Sequence, residues 1–90
     1  MRLHELKNLL TTLNPAAKIG LEGESPKPVI SVEVDHDTLK LVVGTQKSAP
    51  LTVFSLTQQL KQAPKALLIV DSAGHRLFGF RQADDWLIFK

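Results

Sequence analysis

The chain has no cysteine. That absence excludes disulfides, thiolate metal clusters and cysteine nucleophilic catalysis. Small extracellular domains often lean on disulfides, so it also favours a reducing, cytoplasmic setting. No segment approaches the ~18–20 consecutive apolar residues of a membrane span. The opening residues Met1 to Lys7 carry charge through the first turns, where a signal peptide would show an unbroken apolar stretch and a small-residue cleavage site. The expectation is a complete, unexported chain without membrane contact.

Motifs for phosphate and for catalysis are missing as well. Gly20, Gly23, Gly44, Gly74 and Gly79 form neither G-x-G-x-x-G nor a P-loop. There is no G-x-S-x-G, H-E-x-x-H or C-x-x-C. These gaps speak against a standalone enzyme and against a bound cofactor. Basic runs are absent too: eleven Lys and Arg against nine Asp and Glu leave a net charge of +2, dispersed from Arg2 to Lys90. A nucleic-acid footprint would cluster such residues on one face.

What is present is a repeat. Leu3, Leu6, Leu10 and Leu13 step by three, four and three, and fifty residues later Val53, Leu56, Leu60 and Ala63 do the same. A proline follows each set (Pro15, Pro64), then a short apolar stretch and two more strand-like runs. Ninety residues make one domain, 1–90, with pseudo-repeat halves at about 1–44 and 51–90. Such a chain can bury ~60–65% of its unfolded surface, enough for one core.

The spacing predicts helices over about Arg2–Leu13 and Thr52–Gln62, with Thr52 as N-cap and Ser55 as its rival. Strands are expected at Lys18–Glu22, Val29–Val34, Leu39–Val43, Ala66–Val70, Arg76–Phe80 and Trp86–Phe89. The loop 23–28 is read as lying outside any paired strand because of its two prolines. The repeat offset drifts from fifty in the helices to forty-nine at the first strands and about forty-seven at Leu39/Trp86. The resulting fold class is α+β: a two-layer sandwich of order α-β-β-β-α-β-β-β, with both helices on one face of a mainly antiparallel sheet. The opening helix, proline, short strand and hairpin resemble many small bacterial and phage-encoded proteins and single out no family.

The halves differ in their hairpins. Strands two and three alternate apolar with polar, placing Ile30, Val32 and Val34 on one face. Strands five and six are apolar on both faces, through Leu77, Phe78, Phe80, Trp86, Leu87, Ile88 and Phe89. Helices on one side of a sheet cover one face only, so a second apolar face calls for another cover. Leu77, Phe78, Phe80, Trp86, Leu87 and Phe89 are therefore the candidate interface, with a second copy (a homodimer) or another protein as partner. The alternative is single-stranded nucleic acid, bound by Arg76, Phe78, Phe80, Arg81, Trp86 and Lys90.

Other polar clusters read as local structure. Asp35-His36-Asp37 suits a hairpin turn better than a metal site, since ligands are normally gathered from separated segments. Asp71 and His75 span a turn without an accompanying nucleophile, and Asp84-Asp85 lacks the further oxygens a Ca²⁺ or Mg²⁺ loop needs. His4 falls off the leucine stripe. The expected function is a non-catalytic interaction module, with no catalytic, cofactor or metal residues.

Overall fold

The computed structural model describes residues 1–64 and 66–90; Lys65, one of the dispersed basic residues, lies outside the described residues. Its elements are α1 (Leu3–Leu10), β1 (Lys18–Leu21), β2 (Lys27–Asp35), β3 (Thr38–Val43), α2 (Val53–Leu60), β4 (Leu68–Val70), β5 (Phe80–Ala83) and β6 (Trp86–Phe89). The class is α+β, two helices with a six-stranded sheet of order β4-β3-β2-β1-β6-β5. The sheet is mixed, which corrects the expectation of a mainly antiparallel one: β1 pairs parallel with β6, and β3 with β4. The second parallel pair follows from the chain path, because α2 carries the chain back over the sheet before β4 begins.

Each helix buries its apolar stripe. Leu3, Leu6 and Leu10 of α1 and Val53, Leu56 and Leu60 of α2 enter one core with Ile19, Leu39, Leu41, Ile69, Leu87 and Phe89. Thr52 caps α2, its hydroxyl accepting the Ser55 N–H at 3.1 Å. Both helices stop short of the expected ends. In α1, the Thr11 and Thr12 hydroxyls donate to the Asn8 and Leu9 carbonyls at 2.7 and 2.9 Å, satisfying acceptors that another turn would have used. Leu13 still packs against the core from the turn beyond.

The repeat is written in the backbone hydrogen bonds, and it is exchanged between halves. Leu3 N–H donates to Leu67 O at 2.8 Å, as Val53 N–H donates to Ala17 O at 2.8 Å. Ile69 N–H meets Met1 O at 2.9 Å, as Ile19 N–H meets Leu51 O at 2.8 Å. Even the Met1 ammonium donates to Leu77 O at 2.7 Å, where Leu51 N–H donates to Val29 O at 2.7 Å. Each half thus completes the other's sheet.

The equivalence holds at fifty residues through the helices and first strands, and at forty-eight from Val29/Leu77 onward. The expected pairing of Leu39 with Trp86 was one residue off. Leu39 corresponds to Leu87, since each takes the same place in its parallel ladder, and Leu41 to Phe89, since each takes the same place in its hairpin, opposite Val32 and Phe80. A one-residue slip exchanges the faces of a strand, so Leu87 and Phe89 fill the core while Trp86 and Ile88 look outward.

Further boundaries differ from expectation, and β4 begins at Leu68 rather than Ala66. Pro28 lies inside β2, opposite Gly20. It sits one residue from the strand start, where a missing N–H is tolerated, and its carbonyl still accepts the Gly44 N–H at 2.9 Å. The fifth strand runs Phe80–Ala83 rather than Arg76–Phe80. Its turn is the two residues Asp84-Asp85, matching His36-Asp37, with Asp84 (φ 55°) and His36 (φ 46°) both left-handed. Finally, β2 is bulged between Val29 and Ser31. The bulge turns Ile30 outward and gives its core position to Val29, breaking the expected Ile30–Val32–Val34 face.

Candidate functional site

The outward face of β6 is covered by its own chain. Trp86 is half-buried and lies across Gly20, its Cε3 about 3.0 Å from where a Cβ on Gly20 would stand. The Lys18 ammonium rests 5.7 Å from the indole centroid and 3.4 Å from the Asp85 carboxylate. Ile88, between Gly20 and Arg81 in the ladder, is fully buried. Arg81 reaches across β6 to Glu22 with two hydrogen bonds, Nε to Oε2 at 2.8 Å and Nη2 to Oε1 at 3.1 Å. That ion pair screens Ile88 from the open side of the sheet.

The expected bare apolar face is therefore not there among the described residues. Leu77, Leu87 and Phe89 are buried core side chains. Phe80 is half-buried against the same core. Phe78 alone of the six stands out, 78% exposed. The other exposed large apolar residues are Ile30, Val34 and Phe54. Two of them, Val34 beside the Asp35–Thr38 turn and Phe54 in the first turn of α2, belong to other parts of the surface.

Phe78 is held by a second bulge. Its N–H and that of Gly79 both donate to Lys90 O, at 2.9 and 3.1 Å, and Lys90 N–H returns a bond to Gly79 O at 3.1 Å. A bulge re-aims a side chain and fixes it there. The Arg76 guanidinium lies 5.5 Å from the Phe78 ring centroid, in cation–π range. Beside them is a cavity of about 260 Å³ with Leu21, Leu77 and Phe89 at its apolar floor.

The rim of this cavity carries Glu22, Lys27, Asp71, Arg76 and Lys90. Its two acids are engaged: Glu22 by Arg81, and Asp71 by its own turn, whose Ala73 and His75 N–H groups it accepts at 2.9 and 2.8 Å. Lys27, Arg76 and Lys90 form no ion pair among the described residues. Burial, and then the charge of Arg76, hold the Met1 ammonium below the ordinary amine pKa. The arrangement is an exposed aromatic ring beside a rim of three cationic side chains and two carboxylates.

The nucleic-acid candidates divide accordingly. Arg76, Phe78 and Lys90 come together; Arg81 is occupied by Glu22, Trp86 lies under Lys18, and Phe80 is partly inside. Lys27 was missed. Nothing in segment 23–28 marks it locally, and only the pairing of β2 with β1 brings it to this rim. The turn readings agree with the geometry. His36 is exposed 3.8 Å from Asp35, and His75 is exposed 3.5 Å from Asp71. His4 is exposed.

The hydrogen bond from Arg81, foremost, pulls the Glu22 carboxyl below its ordinary pKa of 4.5. The folded state then binds the proton less readily than the unfolded one, so the stabilisation is complete above pH 4.5 and is lost as pH falls through the lower folded value. Arg81→Gln should lower stability modestly at neutral pH, since both partners are exposed, and that loss should shrink as urea titrations are taken from pH 6 down to 3.

Comparison of the chain with protein-family models, with curated proteins and with solved structures finds no match.

Proposed function

We propose that this chain is a non-catalytic protein–protein interaction module, cytoplasmic and without a cofactor, whose contact is centred on Phe78 and the cationic rim beside it. The observation that carries this reading is Phe78 itself, a large apolar ring 78% exposed yet fixed by three backbone hydrogen bonds around its bulge. Aromatic and arginine side chains dominate the energetics of protein contacts. The surface proposed is smaller than the whole hairpin, since half of the hairpin's apolar side chains support the core.

Self-association is the first form to test. Light scattering behind a sizing column should show a mass rising above the 9.9 kDa monomer with concentration, and Phe78→Asp should restore the monomer. A wild-type monomer at every concentration would remove the homodimer, and a dimer indifferent to Phe78→Asp would remove Phe78 as the contact. Single-stranded nucleic acid is the second reading, favoured by the guanidinium of Arg76 over Phe78 next to Lys90. Phosphate contacts would make its affinity fall steeply with salt.

A further inference from the structure

The sheet has two seams, and both join the halves. The antiparallel ladders β1–β2, β2–β3 and β5–β6 each lie within one half. The parallel ladders β1–β6 and β3–β4 each pair a strand of the first half with a strand of the second. The seams carry equivalent backbone bonds: Lys18 N–H donates to Asp85 O at 2.8 Å, as Leu68 N–H donates to Asp37 O at 2.9 Å. One core takes side chains from both halves.

The seams differ in one pair of side chains. At the first, Trp86 lies across Gly20; a Cβ on Gly20 would stand 3.0 and 3.1 Å from Trp86 Cε3 and Cζ3. At the second, Val70 holds the place of Gly20 and Thr38 that of Trp86. The largest side chain meets the smallest at one seam, and two of middle size meet at the other. A second half paired with its own kind would set Trp86 on Val70, and such overpacking is destabilising. A first half paired with its own kind would set Thr38 on Gly20 and leave a void. The seams therefore match a first half with a second half. Nothing in them requires both to come from one chain. The link, residues 45–50, is closed by local bonds: Thr45 N–H donates to Ser48 Oγ at 3.0 Å and Ser48 N–H to Thr45 O at 3.0 Å. Opened, six residues reach ~20 Å.

We infer that the two seams are also an interface for a second copy of this chain, reached by exchange of halves. The first half of each copy closes both seams with the second half of the other, and residues 45–50 open as the hinge. Every seam bond is remade, and only the hinge turn is lost. This goes beyond the proposed contact at Phe78 and does not use it. The exchanged dimer forms on refolding at high concentration and not on concentrating the folded chain, because both seams must part first.

Two defective chains test the inference. Gly20→Val and Trp86→Thr should each lower the urea midpoint. Placed together in one chain they should recover part of the loss, since they copy the Val70–Thr38 pair into the first seam. Carried on separate chains, mixed in urea and refolded together at millimolar concentration, they should give a dimer of twice 9.9 kDa by light scattering, whether or not either folds alone. One folded unit of that dimer holds Gly20 with Trp86 and the other holds both replacements, so both are matched. The mixed dimer should unfold at a higher urea concentration than either chain refolded alone, and its Trp86 emission should return to the wild-type wavelength. Phe78→Asp in both chains should leave it unchanged, which separates it from association through Phe78. A mixture in which no dimer forms, or a dimer no more stable than the single variants, would overturn the exchange. A Gly20→Val chain as stable as the wild type, or a double variant no better than the single ones, would overturn the seam matching on which it stands.

Discussion

Phe89→Ala should lower the unfolding free energy by roughly 3–5 kcal/mol, the range for emptying a buried phenylalanine site. Phe78→Ala should change it by less than about 0.5 kcal/mol, as for a surface position. The two residues lie eleven positions apart in one hairpin and look alike in the sequence. Phe89 is fully buried among side chains of both helices and the sheet, whereas Phe78 projects from a bulge. A domain of this length is stable by only about 5–13 kcal/mol. Phe89→Ala therefore takes a large part of the whole, and urea unfolding followed by Trp86 fluorescence would show it. Equal losses at the two positions would mean that Phe78 packs inside, and would remove the proposed contact with it.

Leu6→Ala and Leu56→Ala should each cost about 2–5 kcal/mol, and by similar amounts. They are repeat equivalents on facing helices, both fully buried in the shared core. The double variant should be largely unfolded at room temperature. Because α1 and α2 touch, its loss should depart from the sum of the two, reflecting one merged cavity rather than two separate ones. Strict additivity in denaturant titrations would argue that the halves have separate cores, against the exchanged hydrogen bonds Leu3–Leu67 and Val53–Ala17.

Much of the fold was legible where the signal is local. The leucine stripe of α1 and its echo in α2 needed only a period of 3.6 residues, and Thr52 announced a helix start through its hydroxyl. The Asp35–Thr38 turn followed from side chains that bond their own backbone. The fifth strand was not legible, because Arg81-Gln82-Ala83 carries no apolar alternation. It is a strand because Phe89, Ile88, Leu87 and Trp86 pair with it. The candidate site was half legible: Arg76, Phe78 and Lys90 were singled out, but in company with Phe80, which packs on the core, Arg81, which Glu22 holds, and Trp86, which lies under Lys18.

The amino-acid order by itself determined the two amphipathic helices, the duplicated pattern of apolar runs and the absence of any familiar catalytic motif, all properties of neighbours a few residues apart. Only the tertiary structure decided that each half lends its first strand to the other, that Ile88 is roofed by Arg81 and Glu22, and that Phe78 alone of its hairpin is left outside. Those outcomes depend on the register between strands far apart in the chain. Register is set by which residues the assembled core can accept, and a fully apolar strand offers either face equally until that core exists.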